Sequence, residues 1–232
     1  MPEITNADTI KAWSDVPREL IEQFGEDGDA TRRYLLNPII FELLGNVKDK
    51  LILDAGCGQG YLARQFARRG AIVTGIEPAQ AWYNHAAQKE LAEPLGITYR
   101  QEDLSIAQIG LDTFDYVIAN MVLMDIPAYL PSLRNCIAAL KPRGGLLIAL
   151  LHPCFEESGA EWQKKGYVEV REYFREHEVK QTYGYFIHRS LSTYLNDLIR
   201  EGCTLQKIIE PRLDEAVTQE HHYERYWKNF PS

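Results

Sequence analysis

Ten consecutive residues, Leu51-Ile52-Leu53-Asp54-Ala55-Gly56-Cys57-Gly58-Gln59-Gly60, place an apolar run, an acid and three alternating glycines next to one another. The apolar run suits a buried strand, and glycine lets backbone turn sharply and approach a ligand closely. A pyrophosphate loop would carry its third glycine at position 61, but this chain has Tyr61 there, and Asp54 would repel a phosphate set beside it. The same acid suits a ligand that presents an ammonium group. Glu77 ends the next apolar run, roughly twenty residues on, where a carboxylate can accept both hydroxyls of a ribose.

Read together, Asp54 to Gly60 resemble motif I, D-x-G-C-G-x-G, of the class I S-adenosylmethionine-dependent methyltransferases of small-molecule type. The resemblance is firm over residues 51–152 and looser over 29–210. It implies S-adenosylmethionine as cofactor and S-adenosylhomocysteine as product. Cofactor contacts are expected from Asp54, Gly56, Cys57, Gly58, Gly60, Glu77 and Pro78. Asp103, next to Glu102, matches the family acid that accepts from the adenine amino group, with Leu104 adding backbone and apolar contact. Asn120 and Met121 begin the stretch ending at Asp125, where the family contacts the methionine part and the incoming nucleophile; a structural cap is the competing role for Asn120. Residues 28–34 resemble a helix preceding the domain, from which a basic or tyrosine side chain meets the cofactor carboxylate. Arg33 is favoured over Arg32 for that contact, and Tyr34 for the acceptor pocket.

His152 ends the fifth apolar run and offers a general base for an amine, phenol or enol; its alternative is a hydrogen bond that shapes the turn before Pro153. Tyr185 and His188 are further acceptor-side candidates. No metal is expected, because neither His85 nor His221-His222 has an acid at ligand spacing. Methyl transfer from a sulfonium is an in-line displacement, so alignment and exclusion of water carry most of the catalysis.

These residues must be positioned by a scaffold, and the pattern supplies one. Short apolar runs at 51–54, 72–77, 98–101, 116–120 and 146–151 alternate with amphipathic stretches at 61–69, 79–91 and 129–140. The order β-α-β-α-β-β-α-β predicts an α/β, Rossmann-like, mostly parallel sheet with helices on both faces. A helix-like stretch interrupted by Pro17, then Asn37-Pro38 as an expected helix start and Gly45 as its stop, suggest an N-terminal helical cap. After His152 the alternation ceases. An aromatic-rich insertion follows, read as a lid over the acceptor or a plain hairpin, then a helix capped by Ser190 and a strand at 204–210. The resemblance implies an antiparallel seventh strand, which 222–227 supplies in a short form or this sequence lacks. The expected organisation is one domain over 1–232, with a cap at 1–45, cofactor core at 46–152, lid at 153–189 and C-terminal sheet portion at 190–232.

Composition narrows the remaining classes. The 232 residues are 45% hydrophobic and 25% charged, as in ordinary globular proteins. The net charge of −8 opposes a broad nucleic-acid footprint, and the Asp/Asn-Pro-Pro-Tyr/Phe run of base-amino methylases is missing at Asn120. The four cysteines are scattered without paired spacing, no apolar run reaches membrane-span length and the N-terminus lacks a signal pattern, so a cytoplasmic protein with reduced thiols is expected. The expected activity is methylation of nitrogen or oxygen on a small metabolite. A non-catalytic cofactor-binding module acting through a protein partner is the alternative, and oligomeric state is not legible.

Overall fold

The computed structural model describes residues 4–155, 165, 167, 169–214 and 217. Strands β1 (Leu51–Ala55), β2 (Ile72–Ile76), β3 (Thr98–Arg100), β4 (Phe114–Asn120) and β5 (Leu140–Ala149) form one parallel sheet in the order β3-β2-β1-β4-β5. The chain steps outward from β1 to β3 and then returns to lay β4 on the other side of β1. That reversal opens a crevice outside the carboxyl ends of β1 and β4, where open α/β sheets bind ligands.

The strands are apolar on both sides because both faces are covered. Ile52 and Ile118 point to one core with Ile40, Leu62 and Phe66, contributed by α3 (Asn37–Leu44) and α4 (Tyr61–Arg68). Their neighbours Leu53 and Val117 point to the opposite core with Leu104, Phe114 and Cys136, the last from α6 (Tyr129–Ala138). Each fully buried aliphatic side chain contributes about 1.5–3 kcal/mol. Helix α5 (Gln80–Ala92) completes the unit after β2.

The expected element order is observed, with most boundaries within two residues. Strand β5 is the exception: it begins at Leu140, not 146, and crosses Lys141-Pro142-Arg143-Gly144 through an irregular register opposite Phe114 and Tyr116. Those residues carry turn chemistry, and Arg143 does take a positive φ of 68°, but the bulge keeps the flanking segments paired.

Ahead of the sheet, α1 (Asn6–Ser14) starts at a Thr5/Asp8 capping box, and Pro17 separates it from α2 (Arg18–Gln23). Val16 and Ile21 pack with Ala79 and Trp82 at the start of α5, fixing the cap over the carboxyl ends of the strands. Asn37 is not the expected N-cap. A π-helical turn (Arg32–Leu36) runs directly into α3, Asn37 itself is helical, and its side chain is spent elsewhere. Gly45 ends α3 at φ +59°, as its position predicts.

Beyond β5, the insertion forms the antiparallel hairpin β6 (His177–Lys180) and β7 (Tyr185–His188). It leans on the cap: Ile4 N donates to Glu178 Oε1 at 2.9 Å, and Gly184 lies against the Trp13 ring. Ser190 then caps α7 (Leu191–Arg200) by accepting from Thr193 N. The strand expected at 204–210 is absent. Leu205 and Ile208 are exposed, so the apolar residues that suggested it find no layer among the described residues to bury against. The segment 222–227 lies outside the described residues. Among those residues no helix is long and apolar enough to cross a membrane.

Candidate ligand-binding site

At the crevice predicted by the topology, a cavity is walled by the ends of β1, β2 and β4, the glycine loop, and α1 and the π turn of the cap. Asp54, the penultimate residue of β1, reaches it from a buried position. Its Oδ2 has no hydrogen-bond partner among the described residues, and burial pushes its carboxyl up to about 7, with the neighbouring Glu77 charge adding to the rise. A buried carboxylate with an unspent oxygen is stabilised by an incoming proton, cation or other hydrogen-bond donor, and a cationic donor gains the most.

The loop after it is built for close approach. Gly56 N and Cys57 N donate to Ile76 O at 2.8 and 3.0 Å, tying the loop to β2. Gly56 has φ +73°, and a Cβ there would overlap Val122. Glu77 follows β2 and accepts from Gly58 N at 2.9 Å and Ala79 N at 2.8 Å. Burial nevertheless pushes it up to about 7, the two backbone donors opposing that rise. Each of its oxygens keeps a further lone pair, so the residue that shapes the loop still has acceptor capacity.

Asp103, not Glu102, lines the cavity. Glu102 is occupied by Arg100 at 2.6 and 2.8 Å, whereas Asp103 Oδ1 accepts from Ser105 N and leaves its other oxygen without a described bond. Leu104 is buried beside it, and its carbonyl accepts from Asn135 Nδ2. Asn120 and Met121 also line the cavity, Met121 at a φ of +60°, a conformation that a non-glycine residue holds only when its surroundings enforce it. Asp125 closes the wall from a 3-10 turn (Leu123–Asp125); burial pushes its carboxyl up to about 8, with the Arg32 charge opposing and the Glu77 charge adding.

Several expected residues lie elsewhere. Arg32, not Arg33, faces the cavity; it donates to Asp29 Oδ2 at 2.7 Å and sits over the Phe24 ring. Arg33 is turned outward beside Asp27 and over Tyr34, and neither Arg33 nor Tyr34 lines the cavity. The π turn explains this, since its extra residue per turn rotates neighbouring side chains away from the phase an α-helix would give. His152 is also outside. Its Nδ1 accepts from Cys154 N at 3.1 Å, which fixes the turn around Pro153, and its Nε2 lies 3.4 Å from Glu210. Tyr185 and His188 belong to the hairpin, where His188 bonds Tyr173 O at 2.9 Å and stacks on His177. The hairpin touches the outer side of the cap, whose Trp13 and Phe24 do line the cavity. Gly60 begins α4 at φ +79° against Tyr99 and is not part of the wall.

Sequence reasoning missed the aromatic roof of Trp13, Phe24 and Trp82, in which both other rings meet Trp82 edge-on. It also missed Gln59 and Arg64. Buried Arg64 donates to Gln59 O and Oε1 at 2.7 Å, and Gln59 Nε2 donates to Gly25 O at 2.6 Å, clamping the cap onto the glycine loop. In the sequence Tyr61 stands out only as a missing glycine. Its hydroxyl links Asn37 to Asn120. No cluster of metal-binding side chains occurs among the described residues.

Residues 52–144 match the family model described as methyltransferase domain. Over 126 residues the chain is 29% identical to the ubiquinone biosynthesis O-methyltransferase of Coxiella burnetii strain Dugway 5J108-111, covering 53% of this chain and 54% of the relative. Its counterpart in Haemophilus ducreyi is 34% identical over 128 residues, 51% of this chain and 54% of that one. The chain thus spans about half the length of the curated relatives it matches. The crystal structure of an S-adenosylmethionine dependent methyltransferase from Mesorhizobium loti superposes with a TM-score of 0.74 at 24% identity, covering 89% of this chain and 96% of that chain, and so shares the fold.

Proposed function

We propose that this chain, whose residues 52–144 match a methyltransferase-domain model, is a class I S-adenosylmethionine-dependent methyltransferase that moves a methyl group from S-adenosylmethionine to nitrogen or oxygen of a small molecule. The observation that carries this reading is the buried, unpartnered Asp54 Oδ2 at the end of β1, beside a loop that brings backbone to the same cavity. It calls for a cation that a glycine-lined bend can admit, and the ammonium of a methionine moiety meets that demand.

The other wall groups fit the rest of the cofactor. Arg32 would pair with its carboxylate, Glu77 would accept from its ribose, and Asp103 from its adenine amino group, with Leu104 and Pro78 as apolar contact. The backbone at Asn120 and Met121 would bound the methionine part. When bound, the cofactor supplies a methyl carbon made electrophilic by its sulfonium. The protein's part is to hold the nucleophile in line with that carbon and keep water out, and well-oriented groups gain effective molarities on the order of 10⁵ M or more. The rings of Trp13, Phe24 and Trp82 on the cavity wall would shield the site from water. The acidic cavity and the net charge of −8 favour a small acceptor over nucleic acid.

Isothermal titration with S-adenosylhomocysteine tests the reading. Binding in the micromolar range, about −8 kcal/mol, is expected. Absence of binding to folded protein would end it.

A further inference from the structure

Two hydrogen-bond acceptors on the cavity wall have no task once the contacts above are assigned. The first is Asn120 Oδ1, buried and without a partner among the described residues, on a residue only 9% exposed. Its identity as oxygen is fixed by a relay that begins at a backbone carbonyl. Asp27 O can only accept, so Asn37 Nδ2 donates to it at 2.7 Å. Asn37 Oδ1 then accepts from the Tyr61 hydroxyl at 3.1 Å, and that hydroxyl accepts from Asn120 Nδ2 at 3.0 Å. The unused atom of Asn120 is therefore an acceptor, never a donor.

The second is the Asp125 carboxylate, which lines the cavity and is hydrogen-bonded by none of the described residues. Its turn is braced from outside by Arg189, which donates to Pro127 O at 2.6 Å and lies over the Tyr129 ring. The surrounding wall is largely apolar, with Ile10, Trp13, Phe24, Val122 and Ile126. Its ionisable groups are Asp54, Glu77, Asp103 and Asp125 against Arg32, so above about pH 8, where these acids are ionised, an anionic acceptor meets net repulsion.

We propose that the methyl acceptor is a primary amine on a small apolar body, donating its N–H groups to Asn120 Oδ1 and Asp125; the inference rests on the methyl-transfer reading. A hydroxyl has one hydrogen and leaves one of the two acceptors unmet, whereas an amine serves both. The amine binds as its ammonium ion. One N–H bond breaks and the proton passes to the Asp125 carboxylate. The freed lone pair forms the bond to the methyl carbon as the carbon–sulfur bond breaks and its electron pair stays on sulfur. The products are a methylammonium ion, a thioether and a neutral Asp125. Burial, which pushes Asp125 up to about 8, brings its proton affinity near that of an amine, as a general base requires.

The test uses the full chain saturated with S-adenosylhomocysteine and three probes of one shape, benzylamine, benzyl alcohol and benzoate, titrated by calorimetry. Benzylamine is expected to bind at least about tenfold more tightly than the alcohol, and benzoate not at all. Asp125→Asn should erase the preference for the amine while S-adenosylhomocysteine affinity stays within about threefold; Asp125→Ser repeats the measurement if the first variant does not fold. Equal or better binding of benzyl alcohol or benzoate, no binding of benzylamine, or a preference that survives both variants would overturn the proposal. Failure of the wild type to take up S-adenosylhomocysteine would instead remove the methyl-transfer reading beneath it.

Discussion

At the scale of single residues, the decisive quantity is how much charge the cavity wall holds without compensation. Asp54 is raised to about 7 by burial, so in the free protein it is largely protonated below that pH and ionised above it. An ammonium ligand binds the ionised form. S-adenosylhomocysteine should accordingly bind more tightly as pH rises from 6 to 8, measured by calorimetry in matched buffers. Asp54→Asn should weaken binding by about 2 kcal/mol, near thirtyfold, and flatten that rise by removing the titrating partner. An unchanged affinity would mean the ammonium sits elsewhere. The same titration separates the two arginines: Arg32→Gln should cost roughly tenfold in affinity, while Arg33→Gln should stay near wild type because its guanidinium faces Asp27 and solvent. The sequence carried the pair but not the choice between them. A π turn changes the angular phase of neighbouring residues, and nothing in Arg32-Arg33-Tyr34-Leu35-Leu36 announces one.

At the scale of elements, legibility followed the range of the forces involved. The β1 strand, its glycine loop and α4 were readable because strand period, turn chemistry and helix start all lie within some twenty residues. What failed depended on distant partners. Strand β5 runs through a proline and two glycines because Phe114 and Tyr116 pair on either side of its bulge, and 204–210 is irregular despite strand-like composition, with no layer among the described residues to cover Leu205 and Ile208. Among the site residues, those on strand ends were found, whereas the aromatic roof came from helices docked across the cavity. A pair of glycines converts this into a measurement. Gly56 and Gly45 both have positive φ, yet a Cβ at Gly45 meets nothing within 4 Å and one at Gly56 overlaps Val122. Gly45→Ala should cost about 1 kcal/mol in chemical denaturation and leave ligand binding intact. Gly56→Ala should displace the loop and lose S-adenosylhomocysteine binding by at least about a hundredfold. Similar behaviour of the two variants would mean that close packing at the loop does not govern the site.

At the scale of the whole molecule, the buried acids set a stability profile that the ligand should reshape. Asp54 and Glu77 are raised to about 7 and Asp125 to about 8, all above their values in an unfolded chain. Between those unfolded values and the folded ones, the native state binds more protons than the unfolded state. Its stability therefore falls as pH rises, by up to about 1.4 kcal/mol per pH unit for each such group. Glu26 works in the opposite sense: its interactions with Lys89 and Arg64 outweigh burial and hold it down at about 2, so its contribution is present above the ordinary glutamate value and is lost in acid. Between pH 5.5 and 8 the three raised acids outnumber His85, which burial holds below the usual histidine value and which therefore adds stability as pH rises, and the ligand-free protein should melt at progressively lower temperature by scanning calorimetry. S-adenosylhomocysteine at about 100 times its Kd adds about 2.7 kcal/mol. If its ammonium is what ionised Asp54 awaits, that gain at fixed ligand concentration should grow toward pH 8 and partly level the profile. A melting temperature that rises with pH in the free protein would show that these carboxyls are solvated, and the demand for a cation at the end of β1 would disappear with their burial.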